Sequence, residues 1–115
     1  MIRRQKEHNH VKSDNPLNGT GCLNAIEIIS QDEFYNKGRM FNIVTLKKGS
    51  SVGIHFHNDE QEIYHILEGK ATYHDNGVDK LIEKGDTTIC LSGECHGISN
   101  ESDEDLVFIA LILNK

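Results

Sequence analysis

The sequence predicts an all-β chain, a single domain folded as a double-sheet barrel of jelly-roll type, and three observations carry that expectation. Turn signals recur at short intervals with β-branched and aromatic runs between them. The longest unbroken apolar run, Leu106 to Leu113, has the length of a buried strand, and only Ser30 to Lys37 has a helical look. Eight or nine short antiparallel strands must hide their edges, and closing two sheets over one core is how a chain of 115 residues does so.

In order along the chain, residues 1–20 show no strand alternation and are expected to be a loose leader, with the barrel in residues 21–115. Strands are expected at Ala25 to Ile29, Arg39 to Leu46, Val52 to His57 and Glu62 to Glu68, then at Ala71 to His74 and Val78 to Ile82. Thr87 to Leu91, His96 to Ser99 and Leu106 to Leu113 complete the set. Between the first two, Ser30 followed three residues later by Glu33 reads as a capping box on a short helical turn. Asn76-Gly77 predicts a two-residue hairpin, since both positions tolerate the positive φ that such a turn requires. Gly49, Gly69, Gly85 and Gly93 punctuate the remaining connections, and Glu101 to Asp105 reads as a solvated turn.

Composition excludes several classes of function. Eighteen acidic residues against twelve basic ones give a net charge of −6, the wrong sign for a duplex nucleic-acid partner or an anionic membrane surface. Four of the basic residues, Arg3, Arg4, Lys6 and Lys12, lie in the first twelve positions, so the rest of the chain is more acidic still. No apolar run approaches the roughly 20 residues of a membrane-spanning helix. No secretory signal or lipid anchor is legible, so the expected location is cytoplasmic. Cys22, Cys90 and Cys95 are an odd set without a CxxC, which fits reduced thiols; their roles are unassigned.

The chemistry gathers on histidine. His55 and His57 are two apart in an expected strand, so both imidazoles leave one face, which can be the barrel interior. Glu62 opens the next strand after a short connection, and His96 follows a glycine-bearing turn. Three imidazoles and one carboxylate suit one divalent first-row ion such as Mn, Fe, Co, Ni or Zn, and on an octahedral ion they leave positions open for a ligand.

This arrangement resembles the cupin superfamily, whose first motif is filled at every fixed position by GSSVGIHFHNDEQEIYHILEG, Gly49 to Gly69. The second motif is matched by GDTTICLSGECHGISN at Gly85, Gly93, His96 and Asn100, with Leu91 where the family has proline. The resemblance implies a double-stranded β-helix, His55, His57, Glu62 and His96 as metal ligands, and pairing into a homodimer. The chain is most similar to small single-domain cupins of the oxalate-decarboxylase-like and phosphomannose-isomerase-like groups. Bicupin oxalate decarboxylases carry an arginine where this chain has Val52, and one residue fewer between the His-x-His pair and the glutamate. The resemblance therefore implies the metal site and not that reaction.

Around the four ligands, strand parity sends Tyr64 and Tyr73 toward the interior as candidate substrate contacts, and Arg39 is a candidate for a bidentate grip on a substrate carboxylate. His65 has the opposite parity to Glu62, His74 lies near the hairpin tip, and His8 and His10 sit in the leader, so none is expected at the site. Cys90 and Cys95 flank His96 and are read as packing residues. The function expected is a metal-dependent enzyme, an oxidoreductase, lyase or isomerase, acting on a small anionic or polar metabolite. The alternative is a non-catalytic module that binds or senses a small anion on the same metal site. No general base is identified, so the catalytic residues are unknown.

Overall fold

A computed structural model describes all 115 residues. Ten antiparallel strands run as β1 (Asn9–Asp14), β2 (Cys22–Glu27), β3 (Gly38–Leu46), β4 (Ser51–Phe56), β5 (Glu60–Glu68), β6 (Lys70–Asp75), β7 (Val78–Glu83), β8 (Thr87–Cys90), β9 (Cys95–Ser99) and β10 (Leu106–Asn114). They form a six-stranded sheet in the order β1-β2-β3-β10-β5-β8 and a four-stranded sheet in the order β4-β9-β6-β7. The two sheets enclose one core, so the expected all-β jelly-roll architecture is what the chain adopts. No helix is long and apolar enough to cross a membrane.

Alternation decides what lies between the sheets. In β10 the even residues Leu106, Phe108, Ala110 and Ile112 are buried, and the odd ones are only half-buried on the outer face. Leu46, Ile66 and Ile98 join them from β3, β5 and β9. The Asn76-Gly77 hairpin forms as expected, with φ of 48° and 88°, closing β6 on β7. Ser30 and Glu33 likewise meet: the Ser30 N–H donates to Glu33 Oε1 at 2.7 Å ahead of a 3-10 turn, Gln31–Phe34.

The leader differs from expectation. Residues 9–14 are not loose; they form β1, paired with β2 along its whole length. Arg3 also anchors the start of the chain, donating to the Ile28 carbonyl at 3.1 Å and pairing with Glu33 at 3.0 Å. The physical reason is that β1 is an edge strand, exposed at all but one residue, so backbone pairing rather than apolar burial holds it. Pro16 to Thr20 then lie across β4. A Cβ on Gly53 would come within 2.0 Å of the Leu17 carbonyl oxygen, so the two backbones pack with no room for a side chain.

Candidate metal centre

The placement of the histidines begins with a defect in β4. Val52 pairs with Ile98 and His55 pairs with His96, so three residues of β4 span two of β9. That is a β-bulge, and the extra residue turns His55 to the same interior side as Val52, which regular alternation forbids at that spacing. His57 follows at the end of β4, His96 faces it from β9, and Glu62 projects from β5 in the opposite sheet. The four side chains thus join the two sheets.

Their ligand atoms lie within 4.8 Å of one another. Glu62 Oε1 is 3.0 Å from His57 Nε2, 2.9 Å from His96 Nε2 and 3.4 Å from His55 Nε2. His96 Nε2 is 3.1 Å from His55 Nε2 and 3.2 Å from His57 Nε2. His57, Glu62 and His96 are buried and His55 is half-buried.

The outer ring nitrogens assign the tautomers. His55 Nδ1 is 2.7 Å from the Gly53 carbonyl oxygen, and His57 Nδ1 is 2.5 Å from Glu60 Oε2. Neither acceptor can donate, so both Nδ1 atoms carry protons, and the neutral rings present bare Nε2 lone pairs to the cluster. His96 Nδ1 is 2.7 Å from the Tyr73 hydroxyl, which accepts from it when the ring takes the same tautomer. Three nitrogen lone pairs and a carboxylate oxygen converging at these separations repel one another unless a cation sits among them. The donor set therefore fits a divalent ion, with each imidazole oriented from behind as metal-binding histidines are.

The electrostatics follow the same geometry. Burial pushes the Glu62 carboxyl up, but with no ion bound a ring that gains a proton on Nε2 donates to it, and such hydrogen bonds from His55, His57 and His96 outweigh burial and hold the group well below the usual carboxylate range. The hydrogen bond to Glu62 raises His57 against the opposing effect of burial, and Glu60 adds to the rise. Burial lowers His96 despite the same carboxylate. Burial also raises both phenols, Tyr64 and Tyr73, and the Glu62 charge adds to it, so both stay neutral. The Cys90 thiol is pushed up to about 11 by burial, which leaves it protonated and in keeping with a packing role.

The remaining sequence-read residues separate clearly. Tyr64 stacks on His96, ring centroids 4.9 Å apart and planes 18° apart. Tyr73 supports His96 through its hydroxyl. Arg39 lines the cavity, and its Nε and Nη2 each donate to the Glu60 carboxylate at 2.8 Å, so this face of its fork grips a residue of the chain. This pair holds the Glu60 carboxyl down, to about 2. Sequence reading missed Glu60, although it shares strand parity with Glu62 and that signal was available. His65 bonds to Thr87, His74 bonds to Asp79 and Ser99 on the outside of the small sheet, and His8 is half-buried and His10 exposed in the N-terminal segment, all away from the centre. The centre opens into a cavity of about 500 Å³ between the sheets, walled by Val44, Phe56 and Phe108 among others.

Comparison with known proteins agrees with this geometry. The family model for the cupin domain matches residues 42–112. An oxalate-binding protein of Thermotoga maritima is 40% identical over 113 residues, covering 98% of this chain and 93% of that one. A Thermotoga maritima crystal structure described as a predicted oxalate decarboxylase superposes with a TM-score of 0.94 at 39% identity, covering all of both chains. A Klebsiella pneumoniae protein with a double-stranded β-helix domain matches with a TM-score of 0.64 at 25% identity over 69% of each chain.

Proposed function

The chain belongs to the cupin family, and from that premise we propose that His55, His57, Glu62 and His96 hold one divalent first-row ion per chain, at which a small carboxylate- or hydroxyl-bearing metabolite is bound and transformed. One observation carries the reading: three Nε2 atoms and one carboxylate oxygen converge within 4.8 Å. The protons on the opposite nitrogens of His55 and His57 are taken by Gly53 and Glu60. A divalent ion in that position supplies Lewis acidity toward carboxylate, hydroxyl or keto oxygens.

The chain's own residues do the rest. Glu60, clamped by Arg39, keeps the His57 ring in register, and Tyr73 does the same for His96. Val44 and Phe108 give the approach to the cluster a buried apolar wall. A second reading, a module that binds a small anion without turning it over, is supported by the oxalate-binding relative and by the wall chemistry. The one carboxylate on the cavity wall outside the cluster is Glu27, which accepts a hydrogen bond from Asn9. Assembly as a homodimer belongs to the same proposal, supported by a row of half-buried apolar residues, Phe41, Ile43, Ile63, Ile109 and Leu111, on the outer face of the large sheet. A cytoplasmic location is in keeping with three unpaired thiols.

The test is metal content by plasma mass spectrometry on untagged protein after dialysis, wild type beside His57→Ala and Glu62→Ala. Near one ion per chain, lost in both variants, is the expected result. A wild type that stays metal-free after reconstitution with each candidate ion overturns the reading. Turnover that requires the ion favours the enzyme; saturable binding without turnover favours the module.

A further inference from the structure

The cavity has more room and more apolar wall than a two-carbon dianion bound at the cluster would use. At about 500 Å³ it has the size of pockets that enclose a drug-sized molecule, and twelve of its twenty lining residues are hydrophobic. A two-carbon dianion at the cluster leaves most of it unfilled. The wall beyond the cluster is aliphatic and aromatic, with Leu23, Met40, Val44, Phe108 and Ile112 from the large sheet, and Leu17 contributes from the segment lying across β4.

A second observation marks the far side. Asn42 is 9% exposed, lines the cavity and makes no side-chain hydrogen bond within the protein. The amide keeps some exposure and has no protein partner, and because the residue lines the cavity its free donor and acceptor are available to a ligand there. Asn42 pairs with Ala110 on β10, and Ala110 pairs with Tyr64 on β5, the strand that carries Glu62. Two inter-strand spacings, roughly 10 Å, therefore separate the amide from the strand of the metal-ligating carboxylate.

We propose that the ligand of this cavity is a medium-length organic acid. Its carboxylate head sits at the His-Glu cluster, its aliphatic body lies along Leu23, Val44, Phe108 and Ile112, and a polar group at its far end pairs with Asn42. The inference rests on the metal reading of the centre for its head and on the cavity alone for its body.

Isothermal titration of the Co(II)-loaded full chain with oxalate, and with linear 2-oxo acids from pyruvate to 2-oxooctanoate, tests it. Affinity is expected to rise about fourfold per added methylene until the cavity is filled. A terminal hydroxyl on the longer acids is expected to add roughly fivefold, a gain that Asn42→Leu removes. Because the length series is run on the wild type, it stands even where the variant folds poorly. Oxalate binding without any gain from chain length overturns this inference and leaves the metal centre intact. Failure of every acid, oxalate included, to bind the loaded protein overturns both this inference and the reading that the metal centre takes a carboxylate ligand.

Discussion

Replacing Glu60 by Gln tests how the centre is held from behind. The side chain keeps its shape but loses its charge, and its amide presents a donor where two acceptor oxygens stood. In the wild type Glu60 accepts from His57 Nδ1 at 2.5 Å and from Arg39 Nε and Nη2 at 2.8 Å. Oε2 accepts from both His57 Nδ1 and Arg39 Nη2, and Oε1 from Arg39 Nε, so a glutamine oxygen in the Oε2 place serves both partners without its charge while the amide hydrogens face the Arg39 Nε–H. One charge-assisted bond, about 1.5 to 3 kcal/mol, is lost. The acceptor of His57 Nδ1 also becomes neutral, and because that contact fixes the proton on Nδ1 and the lone pair on Nε2, the loss of its charge lowers the ligand strength of His57. Metal affinity is expected to drop roughly 10- to 100-fold. Competition with a chelator of known affinity, using Zn(II) and Co(II), measures it. A thermal melt of the metal-free protein shows whether the fold itself has weakened. An affinity within twofold of the wild type refutes the argument that Glu60 orients His57.

Other expected outcomes follow from single contacts. The Glu60 carboxyl is lowered from 4.5 to about 2, so the stabilisation from its pair with Arg39 is complete above about 4.5 and disappears as pH falls through about 2. Arg39→Met should therefore cost up to about 1 kcal/mol in urea denaturation at pH 7, a modest figure because Arg39 is half-exposed, and nothing below pH 2; an undiminished difference at low pH contradicts the assignment. Gly53→Ala puts a Cβ 2.0 Å from the Leu17 carbonyl oxygen and should lower stability by about 2 kcal/mol, read as a lower melting temperature. Asn100 is 1% exposed and its amide donates to the Leu46 and Glu104 carbonyls at 2.9 and 2.7 Å. Asn100→Ala should cost about 3 kcal/mol in denaturant while leaving metal content unchanged, which separates its role in the turn from a role at the centre.

The sequence disclosed most of the fold where side chains carry the signal. Alternation in Leu106 to Leu113, the Asn76-Gly77 turn and the Ser30-Glu33 box are local, and each appears in the structure as expected. His55, His57, Glu62 and His96 could be grouped because motif spacing encodes what three separate strands bring together. What escaped was non-local. Strand β1 has no apolar face to announce it, since its partner's backbone holds it. The partners of Arg39 and Glu60 depend on which ring nitrogen of His57 faces inward, and no pattern of residue types reports that. The bulge that turns His55 inward hides in an ordinary-looking Val-Gly-Ile.

The order of strands in the large sheet also governs how the molecule comes into being. β10 is the last strand in the sequence, yet it lies between β3 and β5 and holds them together. Until it is in place, β1, β2 and β3 are a meander without a far side, and β5 with β8 is a separate fragment. Contacts of such long sequence separation form slowly, and chains awaiting them expose unpaired edges. The two halves of the large sheet are thus joined through β10, and the sheet that carries Glu62 is continuous with β3 only through that strand.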